Sequence, residues 1–315
     1  MHNTLSNNVS QAASRLISVL DLAVGGSGAG LGSLRPKIGS LEIVDSTKDS
    51  LTINALANFS NPTEYSATVS YADIHILVNG SLLGHATARN ISVAPGKNTN
   101  IPVTAVWQPM ELGGDRARQV GVELLSQYLS GYNTTITLQA HEGSVPSQPA
   151  LGRALSKFTF ELPTPRLGSP RPRDPPHDGL PTDPKDPDND DDQGPHFISD
   201  AIMHLFTSSA TFNLHSPLKT TTVYVTYINA TAYYKGDDVG HIDYDETFAV
   251  PPGKEVTTPR LPVAWSLGSV GYDAIRNAVG GSLKLSAKAT VGVRLGKWEE
   301  KIWFQGKGIG AKIRL

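Results

Sequence analysis

Two stretches of this sequence are related: VSYADIHILVNGSLLGH, from Val69 to His85, and VTYINATAYYKGDDVGH, from Val225 to His241. The residues that the two stretches share are all separated by the same number of positions in the sequence. The matching pairs are Val69 and Val225, Tyr71 and Tyr227, Gly80 and Gly236, Gly84 and Gly240, and His85 and His241. A long internal match of this kind predicts two copies of one structural unit.

Each string reads as a β-hairpin. In the first, Ala72, Ile74, Ile76 and Val78 alternate with more polar residues, which is typical of a half-buried strand. Asn79-Gly80 then predicts a tight turn, because a type I′ turn needs positive φ at both central residues. Lys235-Gly236 holds the same place in the second copy.

Further strand and turn signals flank both strings. Apolar alternation precedes each string and ends at a proline dipeptide, which marks a strand end or an edge bulge. A second turn follows each string, and the next strand ends at a tryptophan. These paired features are Asn61-Pro62 and Ser216-Pro217, APGK (94–97) and PPGK (251–254), and Trp107 and Trp265.

A helix is predicted after each tryptophan. Asp115 to Leu129 places Ala117, Val120, Leu124, Leu125 and Tyr128 on one face, and Tyr272 to Val279 is its shorter counterpart. Strand-like sequence closes both copies. The fold class is therefore mainly β. We expect two tandem antiparallel β-sandwich domains of immunoglobulin or fibronectin type, each with six or seven strands and one helix inserted late.

Composition divides the chain into four parts. Residues 38–162 and 197–315 form the two β domains, and residues 163–196 are a linker rich in proline and aspartate. The acidic run from Asp186 to Asp192 lacks the glycine and the closing glutamate of an EF-hand, so a solvated linker is favoured over a calcium site. Residues 1–37 contain a predicted helix, Val9 to Val24, and a glycine run, and form a candidate tail of an upstream domain.

The overall composition excludes several classes of function. The formal net charge is -2, and the basic residues are scattered along the sequence, so no nucleic-acid partner is expected. The 315 residues include no cysteine, which removes disulfides, thiolate catalysis and cysteine-based metal sites.

The compartment is open between two interpretations. No apolar run of about 18 residues occurs, and the first residues lack the pattern of a signal peptide, which favours the cytoplasm. The number of Asn-x-Ser/Thr sequons instead favours a secretory compartment and a membrane anchor upstream of the chain. The candidate glycosylation sites are Asn8, Asn58, Asn79, Asn90, Asn133 and Asn229.

With the paired strings, proline dipeptides, PGK turns and late helix, both halves resemble the late-embryogenesis-abundant type 2 (LEA type 2, or water-stress and hypersensitive-response) domain. The chain is similar to fungal vacuolar-membrane proteins of the autophagy-termination type, which carry tandem domains of this kind. The resemblance implies a lumenal domain pair anchored by an upstream transmembrane helix in the vacuolar membrane. It implies no catalytic residues and suggests lipid binding.

Reactive motifs are scarce. HExxH and GxxxxGK[ST] are absent, and GGSGAGLG (25–32) fits no dinucleotide or hydrolase motif. On a strand, His241, Asp243 and Asp245 would share a face and could hold a divalent metal, but a solvent-facing strand is favoured. His85 and His241 are expected to pack or to hydrogen-bond to the next turn. No catalytic residue, metal or cofactor is predicted.

Three hypotheses for function follow. The first is a non-enzymatic domain pair that acts through an unknown protein partner or lipid. The second is a lipid-binding or lipid-transfer module with an apolar slot between helix and sheet, lined by Leu124, Leu125 and Tyr128. The third is a hydrolase on a β-sandwich scaffold, which is disfavoured because no pair of carboxylates recurs in both copies.

Overall fold

The structure, a computed structural model, describes residues 37–61, 64, 66–157, 159–163, 197–216, 218–266 and 283–314. The chain divides into two compact units. Unit 1 consists of Met1–Gly121 and Thr135–Thr164, and unit 2 of Val122–Thr134 and Pro165–Leu315. Both units are mainly β, so the prediction of two β domains is confirmed at that level.

Unit 1 contains one curled antiparallel sheet in the order β1-β2-β5-β4-β3-β6-β7. Two helices accompany it within the described residues. The elements are β1 (Lys37–Ser46), β2 (Leu51–Asn61), β3 (Ala67–Val78), β4 (Ser81–Val93), β5 (Gly96–Trp107), α1 (Pro109–Leu129), β6 (Thr135–Ala140), α2 (Pro149–Leu155) and β7 (Thr159–Pro163). The last part of α1, from Val122 onward, belongs to unit 2.

Unit 2 contains a sheet in the order β13-β9-β8-β17-β16-β10-β11-β15, with β12 also paired to β10 and β14 to β9. Its strands are β8 (Ile198–His204), β9 (Ser209–His215), β10 (Val223–Tyr234), β11 (Asp237–Tyr244), β12 (Phe248–Val250), β13 (Glu255–Thr257), β14 (Leu261–Pro262), β15 (Ala264–Trp265), β16 (Leu283–Leu295) and β17 (Trp298–Arg314). Among the described strands of this unit, only β17 and β8 pair in parallel.

The two sheets follow one plan. The string at Val69 forms the hairpin β3–β4, and the string at Val225 forms the hairpin β10–β11. Strand β6 pairs with β3 in the first unit, and its counterpart β16 pairs with β10 in the second. The counterpart of β5 is divided into β13, β14 and β15. Of these, β13 and β14 pair with β9, and β15 pairs with β11. In unit 2, β8 also pairs with β17. Because the adjacent segments β14 and β15 pair with β9 and β11, the strands of unit 2 then form a closed ring. No pairing joins the described residues of β1 and β7.

The predicted hairpin turns are confirmed. Asn79 and Gly80 have φ of 48° and 73°, and Lys235 and Gly236 have φ of 53° and 94°. In each unit these two residues alone connect the two strands of the hairpin, as a type I′ turn requires. The PGK turns are also confirmed as breaks between strands, with Gly253 at φ 63° in the second copy.

The helix predictions have mixed outcomes. Non-helical backbone at Gly114 (φ 63°, ψ -156°) interrupts α1, and the predicted helix, Asp115 to Leu129, lies after that break. Helix α2 was not predicted, because its seven residues are too few to show helical periodicity. The predicted helices at Val9–Val24 and Tyr272–Val279 lie outside the described residues. So does the predicted linker of residues 163–196, apart from Pro163, which ends β7.

Each unit has a core of its own. In unit 1, α2 packs Leu151 against Val69 of β3 and Val145 of the preceding loop. The larger cluster of unit 2 lies inside its closed sheet. Its buried members are Ala201, Met203, Val239, Leu283, Leu285, Phe304, Ile309 and Ala311.

Candidate functional site

The repeated glycine lies opposite the repeated tryptophan in both units. Gly84 pairs with Trp107 across β4 and β5, and Gly240 pairs with Trp265 across β11 and β15. A Cβ atom on Gly240 would lie 3.1 Å from Cε3 of Trp265, and one on Gly84 would overlap the carbonyl oxygen of Val106. The repeat therefore preserves a close approach at this position, where a glycine leaves the most room.

The repeated histidine contacts the neighbouring strand. Ring nitrogens of His241 lie 3.3 Å from both Thr231 Oγ1 and Asn229 Nδ2 on β10. His85 lies at the same position of unit 1, directly opposite His75 on β3. The repeated histidines are therefore part of the hydrogen-bonded or packed surface of each sheet.

The surroundings of the repeated histidine differ between the units. The offset that relates His85 to His241 also relates His75 to Thr231 and Asp73 to Asn229. A histidine and a carboxylate thus face the repeated histidine in unit 1, where a hydroxyl and an amide face it in unit 2. The position recurs, but its acid–base chemistry does not.

Unit 1 contains a histidine stack that sequence analysis did not identify. The rings of His75 and His141 are stacked, with centroids 4.3 Å apart and planes 20° from parallel. Burial, followed by the charge of His141, lowers the pKa of His75, an effect opposed by Asp73 and reinforced by His85. The lone histidines are unremarkable in sequence, and only strand pairing brings them together.

The stack attaches the loop after β6 to the sheet. His141 Nδ1 accepts a hydrogen bond from the Gly143 amide at 3.2 Å, and the His141 amide donates to Ser144 Oγ at 2.7 Å. The Ser144 carbonyl in turn accepts the Asp73 amide at 2.9 Å. Oδ1 of Asp73 is buried and has no hydrogen-bond partner.

A polar row crosses the sheet of unit 1 at the level of Asp73. Paired residues on five successive strands point to the same face, since directly opposed residues of a sheet share a face. Along β1, β2, β5, β4 and β3 they are Glu42, Asn54, Thr104, Thr87 and Asp73. Thr104 Oγ1 donates to Asn54 Oδ1 at 3.1 Å, and Thr87 Oγ1 donates to the Thr104 carbonyl at 3.3 Å.

An open groove of about 490 Å³ lies over this row. It forms where β4 and β5 diverge, because their pairing extends only from Gly84–Trp107 to Thr87–Thr104. Arg89 and Pro102 line its two sides beyond that point. The groove combines a guanidinium, hydroxyls and a carboxylate with apolar side chains.

The stretch HIDYDE does not form a metal site. Strand β11 ends at Tyr244, so Asp245 lies beyond the strand that would have aligned it with His241 and Asp243. Across the part of the chain that the structure describes, no group of three or more His, Asp or Glu side chains could hold a metal ion. The Tyr244 hydroxyl donates to Glu246 Oε2 at 3.4 Å.

The slot residues all lie in the part of α1 that belongs to unit 2. Leu124 is buried, and Leu125 and Tyr128 are half-buried. Burial raises the pKa of the Tyr128 phenol. None of the three lines the groove of unit 1. A lipid slot at these residues stays a prediction.

The same helical segment covers the part of β17 that lies before its pairing with β8, which extends only over Ala311–Arg314. Ser126 Oγ accepts the Trp303 amide at 3.1 Å, and Ser130 Oγ accepts the Gln305 amide at 2.9 Å. The Trp303 indole N–H donates to Glu123 Oε2 at 2.8 Å. Serines four apart on a helix thus match amides two apart on a strand, and they satisfy donors that an edge strand would leave unpaired.

The candidate glycosylation sites differ in accessibility. Asn79, Asn90 and Asn133 are exposed, whereas Asn58 and Asn229 are half-buried. Asn79 lies at the tip of the β3–β4 hairpin, while Asn229 lies within β10, which is paired on both sides. Asn8 lies outside the described residues.

The shared strand order and the repeated glycine–tryptophan pairs define a tandem-repeat protein of two related β units. Residues 34–153 match the family model of the Tag1-like fourth LEA-2 like domain, and residues 190–303 match that of the Tag1-like fifth LEA-2 like domain. The chain therefore carries two LEA-2-like domains in tandem. The tandem LEA type 2 part of the resemblance is confirmed.

Other comparisons add little. No curated protein matches the chain. Among solved structures, a crystal structure of a protein from Archaeoglobus fulgidus is 15% identical, covering 31% of this chain and 78% of its own. Its TM-score of 0.22 is too low to support any argument. Within the described ranges, none of the helices combines the length and the apolar character needed to span a bilayer.

Proposed function

We propose that the two LEA-2-like domains form a non-enzymatic binding module that acts through protein or lipid contacts. One observation carries the proposal: the residues that recur at one offset are those of turns and close packing, such as Gly84–Trp107 and Gly240–Trp265. The polar neighbours of the repeated histidine do not recur. Duplication has thus maintained a scaffold rather than a reactive group.

The setting that we propose is the lumen of a fungal vacuole, with an anchor in the vacuolar membrane and a role in regulating autophagy. Its support is the resemblance to fungal vacuolar-membrane proteins, together with exposed sequons at Asn79, Asn90 and Asn133. The cytoplasm is the alternative compartment. Expression of the chain behind a secretory signal, followed by glycosidase treatment, tests whether these sites are accessible to the glycosylation machinery.

We also infer that unit 1 is a β-sandwich. Strands β4 and β5 pair over only four residues, after which β5 continues on β2 and β4 continues on β3. The sheet is thereby divided into the layers β1-β2-β5 and β4-β3-β6-β7. An experimental structure of unit 1 in which these layers do not face each other would contradict this arrangement.

The non-enzymatic role is tested by activity assays on the full chain. Wild type is assayed against glycoside, ester and phosphoester substrates beside His85→Ala and His241→Ala, and we expect no turnover above the rate of a denatured sample. The proposal fails if a defined activity is present and one polar substitution removes it while thermal unfolding is unchanged.

A lipid-carrying function is the second candidate, because Leu124, Leu125 and Tyr128 place apolar surface on one helical segment. Native mass spectrometry of protein purified from eukaryotic cells tests it. A co-purifying lipid that Leu125→Asp abolishes would support the slot. Protein free of lipid would leave the contact-mediated role as the function.

A further inference from the structure

Basic side chains alternate along the two longest neighbouring strands of unit 2. A period of two, shifted by one residue of β17 at the register irregularity opposite Leu285 and Ala287, places them on one face of the sheet. They are Lys284, Lys288 and Arg294 of β16, and Lys301, Lys307, Lys312 and Arg314 of β17. Cross-strand pairs such as Lys288 with Gln305 confirm the shared face. We call these seven residues the basic face.

The basic face is the outer surface of the closed sheet. Leu285, Ile302 and Phe304, at alternate positions of the same strands, are each 5% exposed and belong to the interior. Six of the seven basic side chains are exposed, and Arg294 is half-buried. Charges that are scattered in the sequence are therefore concentrated on one side of unit 2.

Tyrosines of β10 hold three of these cations in place. The Arg294 guanidinium lies 4.7 Å from the ring centroid of Tyr224, and the Lys301 ammonium lies 4.7 Å from that of Tyr227. Lys288 lies 5.9 Å from the ring of Tyr233. Cation–π attraction of this kind orders long side chains that would otherwise be mobile.

Gly292 leaves room for the contact between Lys301 and the ring of Tyr227. It lies between Tyr227 and Lys301 in one cross-strand row. A Cβ atom there would lie 2.5 Å from Thr226 Oγ1 and 3.0 Å from Tyr227 Cβ. The glycine leaves the tyrosine ring open to the lysine two strands away.

Few carboxylates oppose these charges. Glu299 lies opposite Arg294 and accepts the Thr226 hydroxyl at 2.9 Å. Asp200 lies beside Gly310 at the border of the face, and Glu123 beside Trp303. Asp243 lies farther along the same face, in the row of Thr290 and Asn229. Among the described residues the cations outnumber these four carboxylates, and the excess gives the surface a positive potential that attracts polyanions.

An exposed aromatic residue stands at one end of the basic face. Phe206 is 83% exposed in the turn that follows β8. The turn adjoins β17, because the Leu205 amide donates to the Arg314 carbonyl at 3.3 Å. An apolar ring projecting beside a row of cations matches the interfacial region of a membrane, where aromatic residues and Lys or Arg are both favoured.

We propose that the basic face and Phe206 together bind the surface of an anionic lipid bilayer. The cations interact with headgroup phosphates and carboxylates, and Phe206 enters the boundary between headgroups and acyl chains. The broad, exposed sheet suits a flat partner, and the aromatic ring distinguishes a bilayer from a soluble polyanion. This inference deepens the proposed binding function and rests on it.

The test is vesicle flotation with the full chain. Vesicles of phosphatidylcholine alone are compared with vesicles that also contain phosphatidylserine. The variant Lys288→Gln/Lys301→Gln/Lys312→Gln removes three charges from the face. The matched control, Lys48→Gln/Lys97→Gln/Lys254→Gln, removes three exposed charges elsewhere. Thermal unfolding of each variant confirms that it is folded.

We expect wild type and control to bind only the anionic vesicles, and binding to weaken with added salt. Each lysine removed from the face should lower partitioning about fivefold, so the triple variant should lose on the order of a hundredfold. Phe206→Ser should weaken vesicle binding but leave retention on a heparin column unchanged.

Three results would overturn the inference. They are equal binding to neutral and anionic vesicles, equal losses in the face variant and its control, and vesicle binding that is unaffected by Phe206→Ser, which would indicate a general polyanion site. Failure here is distinct from failure of the non-enzymatic role, since that role fails only on a catalytic activity.

Discussion

At the scale of single residues, the repeated glycines carry the most information. Gly84 and Gly240 come from one position of the repeat, yet different atoms surround them. A new Cβ on Gly84 would meet the backbone of Val106, whereas one on Gly240 would meet the side chains of Val263 and Trp265. Side chains can move aside more readily than a paired backbone.

Substitution of these glycines should therefore have unequal effects. Overpacking a well-packed site typically costs about 1–3 kcal/mol. We expect Gly84→Ala to lie at or above the upper end of that range and Gly240→Ala near the lower end. Chemical denaturation measures both. A smaller loss for Gly84→Ala than for Gly240→Ala would contradict the packing described.

Glycosylation of Asn79 is a second prediction at this scale. Its side chain is exposed at the tip of a two-residue turn, whereas the Asn229 amide lies 3.3 Å from His241 within a strand paired on both sides. In a secretory host, Asn79→Gln should lower the intact mass by one glycan, and Asn229→Gln should leave the glycan mass unchanged. A glycan on Asn229 would show that modification precedes folding of β10.

At the scale of elements, the main finding is how α1 and β17 interact. Ser126 and Ser130 satisfy two outward amides of β17, and Ser126 is fully buried. Natural sheets protect open edges by covering them, because an exposed edge pairs readily with other chains. A hydroxyl at each contact allows a helix to cover a strand without leaving its donors unsatisfied.

Removing the two hydroxyls should loosen this edge. In Ser126→Ala/Ser130→Ala the amides of Trp303 and Gln305 lose their acceptors, and each buried unsatisfied donor costs about 1–3 kcal/mol. Hydrogen exchange should accelerate at these two amides. Gln119→Ala, at an exposed position of the same helix, is the control. Unchanged exchange in the double variant would mean that the serines do not cap β17.

The histidine stack should make the loop after β6 sensitive to pH. Burial and the neighbouring histidines lower the pKa of His75 from its ordinary 6.5, so the unfolded chain binds this proton more readily than the folded one. The stabilising effect is complete above about pH 6.5 and declines as the pH falls through that value toward the lowered pKa. Acidification should therefore destabilise unit 1.

Thermal unfolding at pH 7.5 and at pH 5 tests this with His75→Gln, and His215→Gln serves as the control. Wild type and control should lose more stability on acidification than His75→Gln does. Identical losses in all three proteins would show that His75 does not contribute. The facing titratable groups are Asp73, His85 and His141.

At the scale of the whole molecule, the two units share a strand order but differ in closure. Pairing of β17 with β8 closes the sheet of unit 2, and Ala311 lies at that closure with no exposed surface. A charge at Ala311 would be buried without a partner. Unit 2 should therefore depend strongly on this small residue of β17.

The variant Ala311→Asp should destabilise unit 2 by several kcal/mol, since a buried unpaired carboxylate is strongly unfavourable. Its exposed neighbour provides the control, and Lys312→Asp should leave the midpoint of chemical denaturation nearly unchanged. Equal effects of the two substitutions would indicate that β17 is not closed onto β8.

The sequence alone determined the features that depend on local chemistry. Asn79-Gly80 and Lys235-Gly236 set their turns because positive φ is a property of those residues themselves, and the alternation around them set the strands. The constant offset set the duplication, and the motifs indicated LEA type 2 domains. Helix α2 was missed because a helix of two turns leaves no periodic signal.

Tertiary structure decided everything that depends on which strands are neighbours. The stack of His75 on His141, the capping of β17 by Ser126 and Ser130, and the closure of β8 on β17 join residues that are far apart in the chain. The basic residues appeared scattered in sequence and formed one face only when β16 paired with β17. Pairing between distant strands depends on the packing of the whole sheet, and no local pattern encodes it.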